Sequence, residues 1–244
     1  MDLKSEVERW LGKYRDEYEF KLEEVDVSLE NVRSAIEHTN LKSTATPEDI
    51  RKLCDEAKRH EFLGVCVNPY YVSLAKRILE GTDIKVVTVC GFPLGANKLE
   101  VKAYEAQKAV EDGADEIDMV LNIGALKAGK YDEVYRDIRE VVENVKVPVK
   151  VIIEACYLSD EEKIAACVIS KLAGAKFVKT STGFGSGGAT VEDVHLMRWV
   201  VGNEMGVKAA GGIRDLAKAK DMIRAGANRI GTSSGVKIVR GDEA

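Results

Sequence analysis

Short runs of β-branched and aliphatic residues alternate along this chain with longer segments whose apolar positions recur every three to four residues. That alternation is the pattern of βα units wound around a parallel sheet. Eight strand-like runs stand out: AIEHT near residue 35, LGVCV near 63, KVVTVC near 85, EIDMV near 116, VKVIIE near 149, KFVKTS near 176, GVKAA near 206 and NRIGT near 228. Several are apolar on both faces, as strands covered on both sides must be. The segments between them carry helix-start chemistry: Thr46 then Pro47 before one, Ser159 before another. Three helices run into the next strand through related phrases, EDGADEI, KLAGAKFV and IRAGANRI, in which a glycine ends the helix and a small residue permits a tight turn.

Eight such units predict a (β/α)8 barrel (TIM barrel) over residues 31–244. An open doubly wound sheet is the competing α/β arrangement, but no GxGxxG turn follows the first strand. Residues 1–30 fall outside the repeat. Trp10, Leu11, Tyr14 and Tyr18 share one helical face there, which predicts a helical extension packing on the barrel bottom or on a neighbouring subunit. A homo-oligomer, dimer or tetramer, is expected.

Composition narrows the function classes. A net charge of −5 with both signs interspersed gives no basic stripe for nucleic acid and no polybasic segment for a membrane surface. The first residues lack the apolar run of a signal peptide, so a cytoplasmic location is expected. Five cysteines, odd in number and without a CxxC pair, read as reduced core side chains. The three histidines, His38, His60 and His195, form no HxH or HxxxH pair, and no metal site is expected. His60 and His195 read as helix-surface or packing residues; His38, at the end of the first strand, as a core or rim hydrogen bond.

Charge inside the strands carries the chemistry. Lys150, Lys179 and Lys208 fall on strands five, six and seven, and Asp118 falls on strand four. Side chains that do not face the helix layer must face the barrel interior, where each unpaired cation costs several kcal/mol. A lysine is a nucleophile only as the free amine, and burial beside a second cation disfavours the charged form. Lys179 sits at the C-terminal strand end, where barrel active sites lie, with Lys208 on the adjacent strand. The expectation is a Schiff-base lysine at 179, kept deprotonated by Lys208, with Asp118 relaying protons through water. The turns after the last strands, AAGGIR with Gly211 and Gly212 and GTSSG with Gly231, Ser233 and Ser234, suit a phosphate held by backbone N–H groups. Gly183 closes a third side. Arg214, read as the first residue of a helix, could add charge.

These residues resemble the deoxyribose-phosphate aldolase family. The resemblance runs from about Ile36 to Val239 and is carried by EHTNLK, VCVNP, GFPLG, GADEIDMV, KVIIE, FVKTSTGF, VKAAGGIR and RIGTSSG. It implies reversible cleavage of 2-deoxy-D-ribose 5-phosphate to D-glyceraldehyde 3-phosphate and acetaldehyde without metal or organic cofactor. Another phosphate-binding barrel aldolase or isomerase is the alternative. By resemblance the Schiff-base lysine is Lys179, its partner Lys208, the relay Asp118 and a supporting lysine Lys150. Four departures stand out: Glu37 where the family has aspartate, Ala155 where it commonly has threonine, Phe184 where some members have lysine, and a terminal GDEA without the tyrosine many members carry. Gly185 to Gly188 read as a flexible loop of no assigned role.

Overall fold

A computed structural model describes residues 2–22 and 24–241. Its centre is a closed barrel of eight parallel strands, each hydrogen-bonded to the next, with the last returning to the first. The strands are β1 Ile36–Asn40, β2 Gly64–Val67, β3 Lys85–Cys90, β4 Glu116–Val120, β5 Val149–Ile152, β6 Phe177–Lys179, β7 Gly206–Ala210 and β8 Arg229–Thr232. Each coincides with one of the eight expected runs. Closure, rather than an open sheet, follows from the β1–β8 register, in which Glu37 lies beside Gly231 and His38 beside Thr232.

Helices α1 Leu3–Glu17 and α2 Leu29–Arg33 precede the barrel. Those that follow are α3 Pro47–Arg59, α4 Val72–Ile78, α5 Leu99–Glu111, α6 Ile123–Lys127, α7 Tyr131–Asn144, α8 Asp160–Leu172, α9 Val191–Val201, α10 Leu216–Arg224 and α11 Gly235–Arg240. Their starts are set locally. Reciprocal side-chain to backbone bonds close capping boxes at Ser28, Thr46 and Ser159, satisfying N–H groups that a helix start otherwise leaves bare. Asp215 caps α10, so Arg214 belongs to the preceding loop and not to the helix, a correction to the sequence reading. The main core lies between strands and helices, joining Ile50 and Leu53 of α3, Ile138 of α7, Ile164 of α8 and Met197 of α9 to the outward faces of the strands.

The N-terminal extension differs from expectation in two respects. Only Leu3–Glu17 is helical, and the described residues between Tyr18 and Ser28 have no regular structure. The helix also lies on the barrel flank, not its bottom: Trp10 and Tyr18 meet the Trp199 ring at 5.5 and 5.3 Å, and Tyr14 donates to Asp160 at 3.1 Å. The Tyr18 hydroxyl bonds His195 Nδ1 at 3.0 Å, and His60 stacks on Phe62; both histidines are packing residues.

A buried ion pair ties helices α5 and α7 to the end of β4 and the loop that follows it. The face of α5 turned inward is Lys102, Ala103, Ala106 and Ala109. Lys102 donates to Asp137 Oδ2 at 2.7 Å and to the Val120 carbonyl at 2.9 Å, while the same Asp137 oxygen takes the Asn122 N–H. Burial pushes the Asp137 carboxyl up, and Lys102 opposes that. Lys102→Ala should therefore cost about 3–5 kcal/mol by stranding a buried carboxylate, whereas Lys102→Met with Asp137→Leu should recover most of it. Urea denaturation midpoints decide: equal losses in both variants would show the pair is not what matters.

Candidate active site

The barrel interior is divided. Strands β2 and β3 supply Cys66, Val87 and Val89, which with Leu41 form a small apolar cluster separate from the main core. The rest of the wall carries charge. Lys150 and Asp118 are register partners across β4 and β5, and Lys179 and Lys208 across β6 and β7. Strand alternation delivers all four to the interior, as the sequence predicts. The same alternation brings in Glu37, Glu116 and Arg229.

Asp118 is the hub. Its Oδ2 accepts from Lys179 at 2.8 Å and from Lys208 at 2.6 Å, and its Oδ1 accepts from Lys150 at 2.8 Å. Lys208 also donates to Glu37. Lys150 is 2.7 Å from Glu116 and 3.5 Å from Glu37. Below them Arg229 pairs with Glu116 at 3.4 Å and lies over the Phe177 ring, with Lys150 on the same ring. Asp118, Glu37, Lys150 and Lys208 have no exposed surface at all, so their charges are worth far more to one another than they would be in water.

The protonation states follow from that packing. Burial alone would raise the Asp118 carboxyl, but Lys150, Lys179 and Lys208 outweigh it and hold it well below the usual range. Glu37 is likewise lowered against its burial by Lys150 and Lys208. Burial would lower Lys208 and Lys150, but Asp118 and Glu37 raise both. Four basic side chains, Lys150, Lys179, Lys208 and Arg229, thus share three carboxylates. Lys150 has three carboxylate partners, Lys208 two, and Lys179 one, an oxygen already shared with Lys208. Lys208 and Lys179, expected to meet as two neighbouring cations, instead meet at a common carboxylate oxygen.

A cleft of about 900 Å³ opens above the C-terminal strand ends. Of the three interior lysines only Lys179 lines it. Opposite lie Gly183, Gly211, Gly212, Ser233 and Ser234, from the loops after β6, β7 and β8. Gly211 has φ +85°, and a Cβ there would come 2.9 Å from the Gly188 Cα. At this crossing two loops touch backbone to backbone, so Gly188 packs and is not free. Cationic side chains on the walls are Lys42, Lys52, Arg214, Lys237 and Arg240. Phe184, where some family members have lysine, is exposed and meets Phe92 edge-on at 5.4 Å.

Gly231 has a packing role beside the one expected of it, and His38 makes the hydrogen bond expected of it. Gly231 lines the cleft but is a strand residue, and a Cβ there would come 3.0 Å from Lys208 Cε; its missing side chain makes room for that lysine. His38 points to the helix layer, where Nε2 bonds Glu56 at 2.8 Å, and it takes no part in the lysine cluster. Sequence reasoning missed Glu116 and Arg229. For Glu116 the signal was available, since it lies two residues before Asp118, already assigned to the interior; Arg229 had no such neighbour, because Gly231 was read as part of the turn after the strand. Glu37 reaches both Lys208 and Lys150, which the longer side chain permits. Tail residues 242–244 lie outside the described residues.

Known proteins share this architecture. A profile described as DeoC/LacD family aldolase matches residues 25–241. The deoxyribose-phosphate aldolase of Thermotoga maritima is 68% identical over 238 residues, covering 97% of this chain and 96% of that one. A solved chain from Coccidioides immitis superposes with a TM-score of 0.92 at 40% identity, covering 98% and 97% of the two chains. The deoxyribose phosphate aldolase of Aeropyrum pernix, described as a unique tetramer, gives 0.82 at 38% identity over 87% and 91%.

The cluster fixes a pH response. Glu37 and Asp118 are lowered on folding, so their stabilisation is complete above the unfolded carboxylate values of about 4 and is lost as pH falls through the folded ones. Lys150 and Lys208 are raised, so theirs is complete below about 10.4 and lost as pH climbs through the folded values. Melting temperature should stay level between those limits and fall on either side. Glu37→Gln should flatten the acid limb; superimposable acid limbs would remove the cluster as its source.

Proposed function

The chain belongs to the DeoC/LacD family of aldolases, and from that premise we propose that it cleaves 2-deoxy-D-ribose 5-phosphate reversibly to D-glyceraldehyde 3-phosphate and acetaldehyde through a Schiff base on Lys179. One observation carries the choice of lysine: Lys179 alone among the interior lysines reaches the cleft, and it has the fewest carboxylates holding a proton on it.

The free amine of Lys179 attacks the C1 carbonyl of the open-chain sugar, and the resulting carbinolamine loses water to give an iminium. Removal of the C3 hydroxyl proton then breaks the C2–C3 bond. Its electron pair moves into the iminium as an enamine, and C3 leaves as the aldehyde carbon of glyceraldehyde 3-phosphate. Protonation of the enamine carbon and hydrolysis release acetaldehyde and return the amine. Each proton taken is given back within the cycle. Asp118, held ionised by Lys150 and Lys208, is the proposed relay through water, since it touches Lys179 and Lys208 through one oxygen. The iminium is the electron sink, so the reading calls for no metal or organic cofactor.

For the substrate phosphate we assign the N–H groups and hydroxyls around Gly183, Gly211, Gly212, Ser233 and Ser234. Gly231 serves by admitting Lys208. Arg214 on the cleft wall supplies compensating charge.

Acetaldehyde with borohydride should leave a reduced adduct on the peptide containing Lys179, and Lys179→Ala should abolish it. An adduct on Lys150 or Lys208, or none, sinks the assignment. In the same series Asp118→Asn should lower kcat about 10²–10⁴-fold, the usual worth of a general acid–base group; an unchanged kcat would remove Asp118 from the relay. We further propose a cytoplasmic homo-oligomer, by analogy with the tetrameric relative. Light scattering should give a multiple of 26.8 kDa, and the mass of one chain would refute it.

A further inference from the structure

Directly after β5 the chain takes an unusual step. Glu154 has φ +53° and ψ +61°, the left-handed conformation that costs an L-residue roughly 1–2 kcal/mol. It is also only 2% exposed. A carboxylate so placed needs hydrogen bonds to offset its burial, and all those it makes go to one loop. Oε1 accepts the Thr182 N–H at 3.1 Å, and Oε2 accepts the Thr182 hydroxyl proton. With its proton committed, that hydroxyl oxygen accepts the Phe184 N–H at 3.0 Å.

Three donors on either side of Gly183 are thereby drawn inward, and the N–H of Gly183 is not among them. Gly183, at φ +87°, faces the cleft. The next glycine is fitted to the same carboxylate: a Cβ on Gly185 would lie 3.1 Å from Glu154 Cδ and 3.0 Å from Cys156 Sγ. Gly187 rests on Cys156 Cβ in the same way. The glycine tract is therefore a loop wound tightly around Glu154 and its neighbour.

We propose that Glu154 is a positioning residue that sets the affinity of the cleft for the phosphate of its substrate, by fixing Thr182 and so presenting Gly183. The proposal rests on the aldolase reading above for the identity of the substrate. Lys179 is held separately, by Asp118 and by the ladder bonds of its strand: Ile153 N–H to the Lys179 carbonyl at 3.0 Å and Thr180 N–H to the Lys208 carbonyl at 3.1 Å. Disturbing Glu154 should therefore separate phosphate recognition from Schiff-base chemistry. Glutamine keeps the shape but has one acceptor oxygen; with that oxygen on the Thr182 N–H, its NH₂ faces the Thr182 hydroxyl, which must turn its proton away and accept instead, so the arrangement that holds the loop is lost.

The test is Glu154→Gln, Thr182→Val and the double variant, each assayed with deoxyribose 5-phosphate, with unphosphorylated deoxyribose, and by calorimetric titration with inorganic phosphate. Each single variant should raise KM for the phosphorylated sugar and weaken phosphate binding about tenfold, equivalent to about 1.4 kcal/mol, and the double should be no worse than the poorer single. Turnover of unphosphorylated deoxyribose should change less than about twofold, well under that 1.4 kcal/mol step. Equal losses on both sugars, unaltered phosphate binding, or additive losses in the double would each overturn the proposal. If Glu154→Gln does not fold, Thr182→Val decides alone. Borohydride trapping on the unsubstituted chain reports on the aldolase reading independently, and the phosphate titration judges Glu154 even where trapping fails.

Discussion

One carboxylate oxygen, Oδ2 of Asp118, accepts from two lysines that come from neighbouring strands. The two lysine nitrogens are thus no farther apart than the sum of two hydrogen bonds, in a region almost closed to solvent. Such crowding is tolerable only because a second carboxylate, Glu37, shares the load of Lys208 and a third, Glu116, shares that of Lys150. Much else in the barrel answers to this arrangement. Gly231 is bare so that Lys208 can lie flat, Phe177 spreads under Lys150 and Arg229, and Arg229 anchors Glu116 from below.

The barrel separates two jobs by height. Rigid strands hold the charged cluster, where positional error would be costly, since electrostatic work in a dry site varies steeply with distance. The loops above line the cleft with glycines and hydroxyls, the chemistry proposed to hold the substrate phosphate, since an anion needs close backbone approach more than side-chain reach. The apolar sector of Cys66, Val87 and Val89 leaves the charge to one side of the interior, beneath the loops that follow β6 to β8.

Much of this was legible beforehand. Hydrophobic periodicity located all eight strands, because strands covered on both faces leave unbroken apolar runs, and capping residues marked the helix starts. Lys150, Lys179, Lys208 and Asp118 were readable as interior residues because a lysine in such a run has nowhere else to go. Glu116 and Arg229 obey the same alternation but sit at strand beginnings, where a charged side chain ordinarily reaches water. The glycines at 185 to 188 looked like slack because nothing local identifies what they touch. Their partners, Glu154, Cys156 and Gly211, come from other strands and loops.

Sequence by itself determined the barrel, the inward set of charges and the family, since these depend on local periodicity and on residue types at fixed spacing. Tertiary structure alone decided how many carboxylates each amine shares, and that the bare Cα of Gly231 leaves room for Lys208 and that of Gly185 for Glu154. The physical reason is the range of the interactions. Alternation and capping act between residues a few positions apart, whereas charge pairing and close packing act between atoms that closure of the barrel brings together, as it does Glu37 and Lys208 across 171 positions of chain.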